Sequence, residues 1–219
     1  RPELIKLSET IRCLDNNFNH TLVHTGQNSD FELNKIFFKN LKLRKPNYFF
    51  NCSNGTSIEK ISKILIKTEK IVDKIKPDSF LIYGDTDSCL SAIVPKKKNI
   101  PIFHLEAGNR CFDQRVPEES NRKIIDHISD INITISERAK DYLVNEGLNP
   151  HLIYNFGSPL FEIITKNLNK INKSKILSIL NLKPKKYILF SVHRHENVEF
   201  QNKLKLVLKC FAKTYKKYK

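Results

Sequence analysis

Several carboxylates, an arginine and a histidine stand at positions from which they could share one site. Asp85 follows a short apolar run, Glu106 follows the next one, and Glu118 begins a helical segment that also carries Arg122. His193 follows a later apolar run. Carboxylates can remove or deliver a proton, and cationic side chains can stabilise a leaving group that departs as an anion. These residue types therefore suit proton abstraction beside an anionic leaving group, and a nucleotide or phosphate ligand.

The segment from His104 to His127 carries a dense set of charges. Its loop contains Glu106, Arg110, Asp113 and Arg115. Beyond the loop, a proline at the first helical position and two acids in the first turn favour a helix start. Glu118 and Arg122 are four residues apart, so we expect them to pair on one helix face. A favourable helix start is enough to explain the charges beyond the loop. A loop with so many charges directly after a buried strand is more typical of a functional site.

The stretch Gly84-Asp85-Thr86-Asp87-Ser88 follows another apolar run. Asp85 could belong to a site at the carboxyl edge of a sheet. Asp85 and Thr86 could equally cap the helix that follows. The sequence favours neither interpretation, and both can hold together.

Metal and common cofactor motifs are absent or incomplete. His104-x-Glu106 matches half of the zinc deaminase signature, but the required P-C-x-x-C is missing. His193-Arg194-His195 lacks a nearby carboxylate cluster and is weak evidence for a metal site. The sequence contains no P-loop, G-x-G-x-x-G or G-x-S-x-G. We therefore expect neither a metal nor a cofactor.

Strand and helix patterns alternate along the chain, and these elements must position the charged residues. Apolar runs predict strands at 21–24, 80–83, 100–104, 132–135, 151–155 and 187–192. Helical spacing predicts helices at 4–14, 31–43, 56–75, 88–98, 117–127, 137–145 and 161–168, a short one after 175, and a long one at the end. Thr56 and Glu59 match a capping box. The alternation predicts an α/β fold with a doubly wound parallel sheet and helices on both faces.

The composition bears on the partners and the location of the protein. The chain has 219 residues, 40% of them hydrophobic, and a formal net charge of +15. That charge raises nucleic acid as a partner, but the lysines are scattered and no arginine cluster or aromatic platform accompanies them. Five cysteines form no C-x-x-C motif and fit a reducing cytoplasm. No membrane-length apolar run or signal peptide is found, so we expect neither nucleic acid nor a membrane as partner.

At these same residues the chain resembles the UDP-N-acetylglucosamine 2-epimerase family. The resemblance rests on motifs that follow the family's order and span nearly the whole chain: Arg1-Pro2-Glu3-x-x-Lys6, Thr25-Gly26-Gln27, Gly84-Asp85-Thr86, His104-x-Glu106-Ala107-Gly108-x-Arg110, Pro117-Glu118-Glu119-x-Asn121-Arg122 and His193-Arg194. It is strongest for the branch that forms UDP-N-acetyl-L-fucosamine, through HTGQNSDFELN, RKPNYF, GDTDSC and EAGNRCFDQRVPEESNRKIIDH.

The resemblance implies an architecture of two Rossmann-like domains in the glycosyltransferase-B arrangement, with the active site in the cleft. Residues 1–170 would be the N-terminal Rossmann-like domain without its first strand. A linker-like stretch at 167–175 would mark the boundary, and 171–219 would be the linker and the start of a C-terminal domain. We therefore expect a fragment that is inactive by itself. The whole protein is expected to be a cytoplasmic homodimer that serves surface polysaccharide synthesis.

The resemblance also implies a mechanism. A base removes the C2 proton of a UDP-2-acetamido sugar while UDP leaves, a glycal forms, and UDP adds back with a proton on the opposite face. The implied catalytic residues are Asp85, Glu106, Glu118 and His193. The implied substrate-binding residues are Arg1, Lys6, Gln27, Arg110, Arg122 and Arg194. A hydrolysing epimerase, which releases the free sugar, and a glycosyltransferase-B-type nucleotide-sugar-binding protein without epimerase chemistry are the alternatives.

Overall fold

A computed structural model describes residues 2–26, 37–190 and 201–217 of the chain. The chain divides into two compact units, Arg1–Leu168 and Asn169–Lys219. Each is described by itself below, and the assignment of the second unit to the start of another domain stays a prediction.

The described residues of the first unit form six strands, and all of their pairings are parallel. Strands β1 (Val23–His24) and β2 (Tyr48–Phe49) form a two-stranded sheet. A four-stranded sheet follows, in the order β3 (Phe80–Tyr83), β4 (Ile102–Ala107), β5 (Ile131–Thr134) and β6 (Ile153–Asn155). Since every pair is parallel, the carboxyl ends of all four strands meet at one edge of the sheet. That edge is where open α/β sheets place their ligands.

Helices connect the strands. They are α1 (Pro2–Asn17), α2 (Ser57–Ile75), a 3₁₀ helix (Asp87–Ala92), α3 (Ile93–Lys97), α4 (Pro117–Ile128), α5 (Glu137–Asn145), a 3₁₀ turn (Pro150–Leu152) and α6 (Leu160–Asn172). Residues 37–40 are also helical. The described part of the second unit adds α7 (Ile176–Ile179) and α8 (Gln201–Lys217). None of the helices in these described ranges is long and apolar enough to cross a membrane.

The core forms where the helices cover the sheet. Its main cluster joins Leu90 and Ala92 of the 3₁₀ helix to Ile102 of β4 and Ile125 of α4. Ile102 and Ile125 are fully buried, and burying a side chain of this size contributes about 1.5–3 kcal/mol. This packing holds α4 against β4 at Ile102, the first residue of the strand. The charged loop between these two elements is therefore anchored at both ends.

The predicted α/β class, a Rossmann-like parallel sheet with flanking helices, is confirmed. The predicted capping box is present, because the Thr56 side chain accepts from the amide of Glu59 and the Glu59 carboxylate accepts from the amide of Thr56. The helix at Glu137–Asn145 has the predicted bounds.

Other local predictions differ from the structure in part or lie outside the described residues. The predicted helix at 88–98 is split into a 3₁₀ helix and the short α3. The stretch that reads as a linker, 167–175, is helical as far as Asn172. Strand β2 was missed because two residues are too few to show a period. Of the strand predicted at 187–192, residues 187–190 are not a strand and the rest lies outside the described residues, as does the start of the helix predicted at 31–43.

Candidate active site

The structure brings six of the predicted site residues to one end of the first unit. Asp85 lies two residues after the end of β3, and Glu106 is the second-last residue of β4. The others are Lys6 on α1, Arg110 in the loop after β4, and Glu118 and Arg122 on α4. The remaining predictions, Arg1, Gln27, His193 and Arg194, lie outside the described residues.

Glu106 occupies an irregular point of the sheet. The register between β4 and β5 shifts between Leu105 and Ala107, and Glu106 has a φ of 69°. Left-handed backbone at a non-glycine residue costs about 1–3 kcal/mol and is typical of functional sites. The bulge separates Glu106 from the regular alternation of the strand. Its carboxylate accepts hydrogen bonds from Lys6 Nζ at 2.9 Å on both oxygens.

Lys6 lies between Glu106 and an aromatic ring. Its Nζ is 5.6 Å from the centroid of the Tyr83 ring, within cation–π range. Burial, together with the Glu106 carboxylate, raises the pKa of the Tyr83 phenol. Lys6 was expected to bind substrate, and in this structure its charge is already engaged by Glu106.

Arg122 is held between two carboxylates, and Glu118 is not one of them. Its Nε and Nη2 lie 2.8 Å from Asp85 Oδ2, and its Nη1 lies 2.8 Å from Glu119 Oε2. The predicted Glu118–Arg122 ion pair is therefore wrong, because Arg122 takes its helical partner three residues back rather than four. Glu118 is half-buried and makes no side-chain hydrogen bond to any residue that the structure describes.

Asp85 thus faces Arg122 rather than capping a helix. The residue at the N-cap of the following 3₁₀ helix is Thr86, and its side chain makes no capping hydrogen bond. Asn121 on α4 donates to the main-chain carbonyl of Asp85 at 3.0 Å. Both the backbone and the carboxylate of Asp85 are therefore fastened to α4.

Glu119 is fully buried and organises the loop before α4. It accepts from the backbone N–H groups of Cys111 and Phe112, both at 3.1 Å, and pairs with Arg122. Burial alone would raise the pKa of Glu119, but the Cys111 amide, the Arg122 guanidinium and the Phe112 amide outweigh it and lower the pKa to about 2. Phe112 has a φ of 58°, so Glu119 holds a strained turn in place.

Arg110 belongs to a buried ion network. Its Nη1 donates to Asp126 Oδ2 at 2.7 Å, and its Nε and Nη2 donate to Glu146 at 2.7 and 2.6 Å. Its side chain is 0% exposed. Burial lowers the pKa of Arg110, but the two carboxylates raise it by more. The guanidinium expected to bind substrate is thus enclosed by protein carboxylates.

An open cleft of about 420 Å³ lies over these groups. Its walls include Asp85, Glu106, Arg122, Arg138 and Tyr142. Within the described ranges, no group of three or more His, Cys, Asp or Glu side chains could hold a metal ion. The cleft offers carboxylates held beside cations, an arrangement that can move a proton next to a group leaving as an anion.

Sequence reasoning missed Glu119, Asp126, His104 and Glu146 as parts of this site. Glu119 stands in the same motif as Glu118. Glu118 was predicted as the partner of Arg122, whereas the structure pairs Arg122 with Glu119. Asp126 lies within the stretch EAGNRCFDQRVPEESNRKIIDH but was given no role, and Glu146 lies in no motif. The importance of both depends on contacts that only the fold creates.

Comparisons with known proteins show which family this chain is similar to. A family model described as UDP-N-acetylglucosamine 2-epimerase matches residues 12–219. A UDP-N-acetylglucosamine 2-epimerase homolog of Methanococcus maripaludis is 41% identical over 220 residues, which cover 99% of this chain and 61% of that protein. The chain thus spans about 61% of the length of this curated relative.

Solved structures are similar too. The structure of UDP-N-acetylglucosamine 2-epimerase from Rickettsia bellii is 50% identical with a TM-score of 0.92, covering 100% of this chain and 57% of that one. The Methanocaldococcus jannaschii UDP-GlcNAc 2-epimerase, crystallised in complex with UDP-GlcNAc and UDP, is 36% identical with a TM-score of 0.92. The match covers 100% of this chain and 61% of the Methanocaldococcus chain.

Proposed function

The chain belongs to the UDP-N-acetylglucosamine 2-epimerase family, and we propose that the whole protein inverts C2 of a UDP-2-acetamido sugar. The proposed route removes the C2 proton while UDP leaves, passes through a glycal, and returns UDP with a proton on the opposite face. The observation that carries the proposal is the pair of carboxylates, Asp85 and Glu106, at neighbouring strand ends on one cleft. Each has its own cation, Arg122 or Lys6.

These ion pairs give the two carboxylates a defined direction. A cation at 2.8–2.9 Å fixes the orientation of each carboxylate in the cleft. An ionised carboxylate that is held in place can act as a base, and it becomes an acid once it has taken the proton. Glu118 has no such partner among the described residues and completes the set of acid/base candidates.

The remaining roles concern substrate and leaving group. Lys6 and Arg122 act through Glu106 and Asp85, the carboxylates that they hold. Arg110, enclosed between Asp126 and Glu146, supports the loop rather than the ligand. The roles of Arg1, Gln27, His193 and Arg194 in binding or stabilising the UDP-sugar stay predictions, as do a homodimeric state and a cytoplasmic location for the whole protein.

Two substrates fit the proposal. One is UDP-N-acetylglucosamine, converted to UDP-N-acetylmannosamine. The Methanocaldococcus relative was crystallised with UDP-GlcNAc and UDP, which supports this choice. The other is UDP-2-acetamido-2,6-dideoxy-L-talose, converted to UDP-N-acetyl-L-fucosamine, which the motif resemblance supports. Both reactions invert the same carbon.

A product assay tests the proposal and separates the alternatives. The full-length protein is incubated with each UDP-sugar, and the products are resolved by NMR. A UDP-linked 2-epimer from one of them is the expected result. Free 2-epimer together with UDP would identify a hydrolysing enzyme instead. Tight UDP-sugar binding with neither product would indicate a binding protein and overturn the proposal.

A further inference from the structure

Asp126 is a buried carboxylate to which none of the roles above is assigned. It lies on α4 and is 0% exposed. Its two oxygens accept from Arg110 Nη1 at 2.7 Å and from the Gly108 amide at 3.2 and 3.3 Å, and one of them shares a hydrogen bond with His104 Nδ1 at 2.8 Å. Any buried carboxylate needs such partners. What distinguishes Asp126 is that its three partners lie on β4 and its loop, the segment that carries Glu106.

His104 extends the contact of Asp126 to the neighbouring strand. Its Nε2 lies 2.9 Å from the main-chain oxygen of Gly84, the residue directly before Asp85. The ring is 1% exposed, so water does not compete for either nitrogen. One continuous set of hydrogen bonds therefore runs from α4 through β4 to the turn that presents Asp85.

The two ring nitrogens of His104 face different partners. The Gly84 carbonyl only accepts, so His104 Nε2 donates to it. His104 Nδ1 lies 2.8 Å from Asp126 Oδ1 and shares a hydrogen bond with it. The Gly108 amide and Arg110 donate to the same carboxylate. His104 is thus a bridge between Asp126 and Gly84.

The Gly108 contact fixes the other strand end. Gly108 is two residues past Glu106, and its amide is held by Asp126. Gly108 has a φ of 78°, and a Cβ there would lie 2.3 Å from the Ala139 carbonyl oxygen. The main chain therefore passes close to α5 with little conformational freedom. The bulge at Glu106 is held on both sides, because His104 before it and Gly108 after it both contact Asp126.

We infer that Asp126, acting through His104 and Gly108, is a positioning residue that sets the separation of the Asp85 and Glu106 carboxylates. The inference rests on the proposed function, because it assigns both carboxylates to one reaction. Stability alone is a poor reason for this arrangement, since buried ion pairs are often no more stabilising than apolar residues of similar volume. Displacing a reacting group by about 1 Å can cost about a hundredfold in rate.

Double-mutant cycles test the inference in the full-length protein. Asp126→Asn is combined with Asp85→Asn and, separately, with Glu106→Gln, and kcat, KM and the Kd for UDP are measured. Asp126→Asn alone should lower kcat at least about tenfold and leave the UDP Kd within about twofold, because it moves carboxylates rather than removing ligand contacts. Asp141→Asn, an exposed acid on α5 with no described partner, is the matched control and should behave as wild type.

Non-additivity is the expected result in the cycles. If Asp126 acts through Asp85 or Glu106, its substitution should cost much less when that carboxylate is already gone. Non-additivity in one cycle would show which strand end is held. Full additivity in both cycles, or losses of kcat and UDP binding that simply follow a lowered Tm, would overturn the inference.

A substitute variant and the activity of the wild-type protein make the result of the cycles unambiguous. If Asp126→Asn does not fold, His104→Gln takes its place in the same cycles, because it breaks the link to Gly84 and leaves the Arg110–Asp126 pair. A wild-type protein without epimerase activity would count against the proposed function. An active wild type with additive cycles would count against the positioning role alone.

Discussion

Lys6 Nζ lies 2.9 Å from both carboxylate oxygens of Glu106, across 100 positions of sequence. The contact joins the first turns of α1 to the bulged end of β4. Both side chains are mostly buried, at 24% and 16% exposed, so solvent screens the pair only in part. Helix α1 therefore supplies the cation that aims Glu106 into the cleft.

Replacing Lys6 should impair the action of Glu106 without abolishing substrate binding in the cleft. We expect Lys6→Met to lower kcat of the full-length protein by about 10- to 100-fold, because the Glu106 carboxylate loses the contact that orients it. Lys6→Arg should recover part of the loss. Steady-state kinetics of the epimerase reaction provide the measurement. Lys70→Met, the same change at an exposed lysine on α2, is the control, and an equal loss in both variants would contradict the assignment.

Within the described part of the chain, Arg138 is the cation in the cleft lining that has no acidic partner. Arg110 and Arg122 are each bound by two carboxylates, whereas Arg138 is exposed and has no acidic partner among the residues that the structure describes. A cation held between two carboxylates has little charge left to offer a diphosphate. We predict that Arg138→Gln weakens UDP binding about tenfold, the equivalent of one charge-assisted contact.

The binding of UDP to the Arg138 variant can be measured by calorimetry. Arg138→Lys should retain part of the affinity. Lys140→Gln, on the same helix but outside the cleft lining, removes the same charge and should leave the Kd unchanged. An unchanged UDP Kd in Arg138→Gln would show that the diphosphate is bound by other cations.

Glu119 should contribute to the loss of folding stability of the first unit at low pH. Its pKa falls from an ordinary 4.5 to about 2 in the folded protein. A depressed folded pKa contributes stability that is fully present above about pH 4.5 and is lost as the pH falls through about 2. The size of the shift corresponds to about 3 kcal/mol at neutral pH, as an upper estimate.

Glu119→Gln should therefore destabilise the protein at neutral pH and lose less stability than wild type on acidification. Chemical denaturation at several pH values would measure both effects. Glu118→Gln, the adjacent acid without a described partner, is expected to follow the wild-type pH dependence. Parallel acid profiles for Glu119→Gln and wild type would refute the prediction.

Gly108 should tolerate no side chain. An alanine there would adopt a φ of 78° and place its Cβ 2.3 Å from the Ala139 carbonyl oxygen. Gly147 has a φ of 89° but nothing within 4 Å of the same position. Gly147→Ala should thus cost only the backbone strain, about 1 kcal/mol. Gly108→Ala should cost this strain plus an overpacking penalty, about 3 kcal/mol in all. Thermal unfolding of the two variants separates the terms, and equal Tm losses would contradict the close approach.

The sequence allowed the sheet and the position of the site to be predicted, but not the pairing within it. The polar loops follow apolar strands, and the carboxyl ends of parallel strands share one edge, so Asp85 and Glu106 were correctly expected at the same edge. The choice between Glu118 and Glu119 could not be made. Residues three and four positions before Arg122 both share its helix face, and only the packing of α4 against the loop decides which one is buried.

Other features depend on tertiary contacts alone. The partners of Asp126 come from β4 and its loop, up to 22 residues away, and no periodicity marks them. The bulge at Glu106 breaks the strand alternation at one residue, which is too short a deviation to recognise in an apolar run. The helix at Leu160–Asn172 runs through the polar stretch that reads as a linker, because those polar side chains occupy exposed positions.

Deuterium incorporation at C2 tests the central claim most directly. The full-length protein is incubated in D₂O with UDP-N-acetylglucosamine and, separately, with the 2,6-dideoxy-L-talose sugar, and the products are examined by NMR. Removal of the C2 proton by a carboxylate and its replacement from solvent predict a 2-epimer that carries deuterium at C2. A 2-epimer that retains its original hydrogen, or no exchange with either sugar, would contradict the account.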